Sequence, residues 1–226
     1  MAAIFVAMMF VAAVVIDALV RRRQKGTASA EVRSPISAKP APSFPFGYFL
    51  TPGHIWLYLR SSGNFLMGLD ELMQRALGTV EKIDLKSQGE TIRKGDVLAV
   101  LTQGERDIHL LSPIDGTIEK TNSFIEKKPD TFSMSPYGKG WIYLVRPMNV
   151  SEALEKFKVA DRAKAWWSQE MKRLREFVQR RIPQEALVGS TLLDGGPPID
   201  DIAEHFDQQT FEEFEALFLC PQAFEK

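Results

Sequence analysis

Three kinds of apolar pattern succeed one another along the chain. From Ala2 to Val20 the residues are apolar almost without a break, Asp17 being the one charge. Farther on, short apolar stretches rich in β-formers alternate with turn residues: Ile55 to Leu59, Asn64 to Leu69, Val80 to Leu85, Val97 to Leu101, Ile108 to Leu111, Gly116 to Lys120 and Trp141 to Val145. After Ser151 the apolar positions recur every three or four residues. A run of about 19 residues reaches roughly 29 Å as a helix, just enough to cross a bilayer. Many short, evenly punctuated strands build a small barrel or sandwich, and a three-four spacing marks an amphipathic helix. The predicted organisation is a transmembrane helix over 1–20, a basic flank and Pro-rich linker over 21–46, a mainly β domain over 47–150 and a helical extension over 151–226.

The flanks of the first run set its expected role. Arg21, Arg22, Arg23 and Lys25 follow it and nothing charged precedes it but the terminal amine. A secretory signal would carry its positive charge in front. Basic residues behind a span bias that side to the cytoplasm, so a single-pass inner-membrane protein is expected, with its N-terminus outside and its main domain cytoplasmic. A cleaved signal or a buried soluble helix is the competing reading. From Gly26 to Pro45 small and polar residues are interspersed with Pro35, Pro40, Pro42 and Pro45, a linker that keeps the domain within a few nanometres of the bilayer.

Composition narrows the function classes. The 226 residues carry a formal net charge of -1, which gives no reason to expect nucleic acid as a partner. Cys220 is the single cysteine, so no internal disulfide and no cysteine-based metal cluster can form. His54, His109 and His205 fit no metal-ligand spacing, and no metal site or cofactor is expected. No nucleophile motif or phosphate-binding loop is present either, so the chain is not expected to be an enzyme.

The β region carries motifs in a fixed order. Gly53-His54-Ile55-Trp56 is followed by Gly68-Leu69-Asp70, Gln74-Arg75-Ala76-Leu77-Gly78 and Gly89-Glu90-Thr91-Ile92-Arg93-Lys94-Gly95. Ser112-Pro113-Ile114-Asp115-Gly116, Asn122, Pro129 and Ser135-Pro136-Tyr137-Gly138-Lys139-Gly140-Trp141 continue it. In order and spacing this stretch resembles the H protein of the glycine cleavage system. The resemblance implies a hybrid barrel-sandwich of the lipoyl-carrier type, with a short helix from Asp70 to Leu77.

In that family a lysine on a tight β-hairpin carries lipoate through an amide and shuttles an aminomethyl group between enzymes. The family's spacing sets that lysine seven residues before the serine of the Ser-Pro-x-x-Gly turn, which here is Glu105, within Thr102-Gln103-Gly104-Glu105-Arg106-Asp107. A carboxylate cannot form the amide, and no neighbour supplies a primary amine. Lys94 and Lys120 lie on other turns or strands. The resemblance therefore implies a carrier scaffold without its arm, whose hairpin Gly104, Glu105, Arg106 and Asp107 is a candidate docking element for an unidentified protein partner.

In the last third, Leu154, Phe157, Ala160, Ala163, Trp167, Met171, Leu174 and Val178 predict one amphipathic helix to Arg181, with a break near Asp161 left open. Its basic residues Lys172, Arg173 and Arg175, together with Arg21, Arg22, Arg23 and Lys25, are the candidate membrane-surface contacts. A second helix is predicted from Ile199 to Leu219, with Ile202, Phe206, Phe211, Phe214 and Phe218 on one side and acidic residues on the other. That stripe packs on the chain itself or, if left uncovered, binds a partner. The function these features favour is a non-enzymatic, membrane-anchored assembly module. A lipoyl carrier modified on another lysine and an adaptor subunit of a transport system are the alternatives.

Overall fold

The computed structural model describes residues 45–151, 157, 160–182 and 199–221. The predicted membrane span, the linker up to residue 44 and the residues Arg21, Arg22, Arg23 and Lys25 lie outside them. Among the described residues no helix is long and apolar enough to cross a membrane.

Alternating burial along short strands gives two antiparallel sheets. The larger has the order β1 (Phe49–Leu50), β2 (Ile55–Leu59), β3 (Phe65–Leu69), β9 (Tyr143–Pro147), β8 (Gly116–Thr121), β5 (Thr91–Ile92). The smaller is β4 (Lys82–Leu85), β6 (Val97–Gln103), β7 (Arg106–Leu111). Side chains that face inward from both, among them Ile55, Leu57, Met67, Leu98, Leu101, Ile108, Leu110 and Val145, are almost wholly removed from water. This is the mainly β scaffold with flanking helices that the strand pattern predicts, with strand limits shifted by at most two residues.

Local chemistry sets the joints. Helix α1 (Glu71–Leu77) starts at Asp70, whose carboxylate accepts the Met73 N–H at 3.0 Å. Gly78 ends it at φ 82°, and a Cβ there would fall on the Glu204 carboxylate. At Gly68 the indole of Trp56 lies against the backbone, leaving no room for a Cβ, while its N–H donates to the Leu69 carbonyl at 3.0 Å. Helices α2 (Ser123–Lys127) and α3 (Asp130–Met134) cross between β8 and β9, burying Ile125 and Phe132.

The long amphipathic helix is present as α4 (Ala160–Arg181), burying Ala163, Trp166, Trp167, Leu174, Phe177 and Val178 along one side. Its predicted earlier part, from Leu154, lies almost wholly outside the described residues. The single helix expected from Ile199 to Leu219 is instead a 3-10 turn (Ile202–His205), then α5 (Gln208–Phe214), then a π turn (Glu215–Leu219). Asp207 explains the division. Its backbone is extended and its carboxylate accepts the Thr210 N–H at 2.8 Å, so it starts a new helix instead of continuing an old one. The aromatic stripe survives this and is covered by the chain itself. Phe177 of α4 meets Phe206, Phe214 and Phe218 with ring centroids 5.7, 6.2 and 5.8 Å apart.

One buried polar chain ties α4 to the β domain. His54 occupies the left-handed region at φ 59° and is fully buried. Its Nδ1 is 2.7 Å from Asp70, and its Nε2 faces the Glu170 carboxylate of α4 at 3.8 Å, a charge contact longer than a hydrogen bond. Arg173 holds the same Glu170 at 3.0 Å. Burial by itself disfavours the imidazolium, but the charge and hydrogen bond of Asp70, with Glu170 beyond, outweigh it and push the His54 pKa up to about 9. Burial likewise opposes the Glu170 carboxylate, and the facing His54, then Arg173, hold its pKa below the usual range.

The stabilisation from a raised histidine pKa is complete below the unfolded value of 6.5 and is lost as the pH rises toward the folded value of about 9. Urea midpoints should therefore fall across that interval by the equivalent of a few kcal/mol. His54→Asn, which tolerates the same backbone conformation, should lower stability at pH 6 and flatten the slope. An unchanged slope in that variant would assign the pH dependence to another group.

Candidate functional site

Strands β6 and β7 pair in register from Leu101↔Ile108 through Thr102↔Asp107 to Gln103↔Arg106, leaving a two-residue loop of Gly104 and Glu105. Gly104 has φ 59°, and a glycine first with an ordinary residue second is the combination a type II′ hairpin uses. The position assigned by spacing is thus the second residue of a tight, exposed turn, and its side chain is a carboxylate. Three hydrogen bonds to the end of α1 and the segment after it stiffen the turn. Gln103 Nε2 donates to the carbonyls of Leu77 and Thr79 at 2.6 and 3.0 Å, and the Gly104 N–H donates to Glu81 at 3.2 Å. Asp107, also exposed, accepts the Thr102 hydroxyl at 3.0 Å.

Arg106 differs from the exposed cation that the sequence suggests. Its Nη1 donates to the Ala203 carbonyl at 3.0 Å and its Nη2 to the Phe206 carbonyl, while the guanidinium lies 5.0 Å from the Phe211 ring centroid. These acceptors lie at the C-terminal end of the 3-10 turn, where the Ala203 carbonyl also takes the Phe206 N–H at 3.3 Å. The hairpin is docked, and what it docks on is the chain's own C-terminal segment.

That segment makes further polar contacts around the hairpin. Arg75 of α1 grips Asp200 with two hydrogen bonds of 2.5 and 2.9 Å, and the Asp201 N–H donates to the Arg75 carbonyl at 2.7 Å. Glu204 accepts the Thr79 N–H at 2.8 Å. On β7, the outer strand of the smaller sheet, Glu215 accepts the His109 N–H at 2.7 Å and lies 3.1 Å from its Nδ1. The Cys220 thiol donates to the His109 carbonyl at 3.6 Å, and burial followed by the Glu215 charge pushes its pKa up to about 11, which keeps it a donor. An open polar cleft remains between tip and segment, bordered by Glu81, Glu105, Glu204 and Gln208.

The basic residues of α4 are similarly engaged. Arg173 bonds Glu170 and the Leu217 carbonyl and covers the Phe218 ring at 4.7 Å. Arg175 is half-buried and held within the chain, and Arg181 pairs with Glu213. Of the candidate surface contacts on this helix only Lys172 stands well into solvent, beside Glu176 at 3.8 Å. Two chemically different surfaces expected from the sequence, a basic helix and an acidic one, thus partly cancel each other, because charge left under the aromatic cluster would be costly without a partner. Among the described residues no group of three His, Cys, Asp or Glu side chains is gathered to hold a metal ion.

Comparison with known proteins bears on the same stretch. The glycine cleavage system H protein of Thermus thermophilus is 31% identical over 108 residues, covering 48% of this chain and 84% of that protein. That of a Psychrobacter species is 29% identical over 99 residues, covering 44% and 79%. A crystal structure of the H protein from Mycobacterium marinum has a TM-score of 0.44 at 26% identity, covering 50% of this chain and 97% of that one. The sequence profile described as Glycine cleavage H-protein matches residues 48–170. With strands, turns and the profile coinciding over just above half of its length, this chain belongs to the glycine cleavage H-protein family.

Proposed function

We propose that this chain is a non-enzymatic, membrane-anchored member of the family that assembles a protein complex on the cytoplasmic side and carries no lipoate. Membership makes the chain carrier-like in scaffold. The observation that carries the finer reading is the hairpin turn itself: Glu105 occupies the position where the resemblance requires an amine, and Arg106 beside it is committed to the carbonyls of Ala203 and Phe206. An amide to lipoate needs a nucleophilic amine, and no proton movement turns a carboxylate into one. The apolar run Ala2–Val20 and the basic cluster after it support anchoring and its orientation.

Expression with a lipoate-attaching enzyme in excess is expected to give an intact mass without a lipoyl group. A lipoyl mass mapped to Lys94 or Lys120 would establish the carrier alternative instead. Glu105→Lys supplies the missing amine, and its modification is expected to be slow while Arg106 holds the C-terminal segment across the hairpin. Glu105→Lys with Arg106→Ala should be modified several-fold faster in the same assay, and equal rates would remove the segment from the account. In spheroplasts the domain should resist external protease until the membrane is opened. Cleavage in intact spheroplasts would reverse the orientation and favour the transport-adaptor reading.

A further inference from the structure

The sequence points to the basic stretch of α4 as the lipid-facing surface, but the fold spends much of that charge on Glu170, Glu213 and the Leu217 carbonyl. Another cluster remains available. Lys120 at the end of β8, Lys127 and Lys128 at the end of α2, and Lys139 in the loop returning to β9 are all exposed, and no ion pair engages them among the described residues. Asn122 holds these pieces together, its Nδ2 donating to the carbonyls of Lys139 and Trp141 at 2.8 and 2.6 Å. The lysines stand beside apolar groups. The Lys120 ammonium is 5.9 Å from the Trp141 ring centroid and that of Lys128 is 5.7 Å from Phe124.

On the two short helices the apolar residues divide between two destinations. Ile125 and Phe132 are fully buried, whereas Phe124 and Met134 are 44% and 80% exposed. Glu126 and Asp130 are exposed in the same segment, so the four lysines outnumber the carboxylates there. Ammonium groups flanking protruding Phe and Met side chains suit the boundary between anionic headgroups and acyl chains, where the cations stay among phosphates and the apolar tips leave water. An acidic protein would satisfy the lysines, but the apolar run Ala2–Val20 in the same chain favours lipid, which the linker would hold within reach.

We infer that the face formed by Lys120, Lys127, Lys128 and Lys139 around Phe124 and Met134 rests on an anionic bilayer surface. This uses the anchored reading only for proximity. The test is the full chain carrying Cys220→Ser and Met134→Cys, labelled at position 134 with an environment-sensitive fluorophore. It is reconstituted into vesicles of zwitterionic lipid alone or with roughly a third anionic lipid, whose acyl chains bear bromine as quencher. Quenching should be about threefold greater with anionic lipid, and Lys127→Glu with Lys128→Glu should return it to the zwitterionic level. No quenching in either membrane, or quenching indifferent to the lysine changes, overturns the inference, as does loss of quenching in favour of an acidic protein supplied in competition. Alkaline carbonate extraction tests the anchor separately. If carbonate releases the chain, the labelled chain added to preformed vesicles must still show the same dependence on anionic lipid.

Discussion

A guanidinium beside the turn of a β-hairpin is bonded to two main-chain carbonyls about a hundred residues downstream, and most of what distinguishes this chain from a bare carrier scaffold follows from that contact. Arg106 offers donors in a fixed fork, and the end of the 3-10 turn offers the carbonyls of Ala203 and Phe206. Hydrogen bonds to a charged donor contribute about 1.5–3 kcal/mol each. Burial of Phe206, Phe211, Phe214 and Phe218 contributes a similar amount per side chain and therefore more in total. Aromatic burial drives the segment onto the domain, and Arg106, with Arg75 on Asp200, fixes where it lies. The hairpin thereby becomes part of a packed corner instead of a free arm.

The β domain was legible in the sequence because its determinants are local. Alternation marked the strands, Gly104 marked the turn, and counting back from Ser112 reached Glu105 without any knowledge of the fold. The aromatic stripe of the last third was legible as well, since spacing alone reveals a face. Its division was missed although the signal was present: Asp207 followed three residues later by Thr210 is a helix start in the middle of the apparent helix. What the sequence could not reveal is the destination of Arg106. Its partners are carbonyl oxygens, which every residue possesses, so no residue type at 203 or 206 announces the bond.

His54 shows the same limit in the core. It is a packed, hydrogen-bonded core residue, and nothing in the residues around it signals that Glu170 on a distant helix faces its other nitrogen. A buried imidazolium is tolerated where carboxylates stand beside it, here Asp70 at 2.7 Å and Glu170 at 3.8 Å. The docking of α4 therefore depends on the charges held by His54 and Glu170 as well as on shape.

The treatment of β7 has a wider consequence. A strand at the border of a sheet normally invites a neighbour, and here Glu215 and the Cys220 thiol occupy the main-chain groups of His109 that a neighbour would use. A side-chain cover ends the sheet without lengthening it, so the ladder stops at three strands. Chains shortened from the C-terminal end would lose this stopper before losing any part of the barrel. Their first difficulty would then be edge-to-edge association between copies, a colloidal failure preceding any failure to fold.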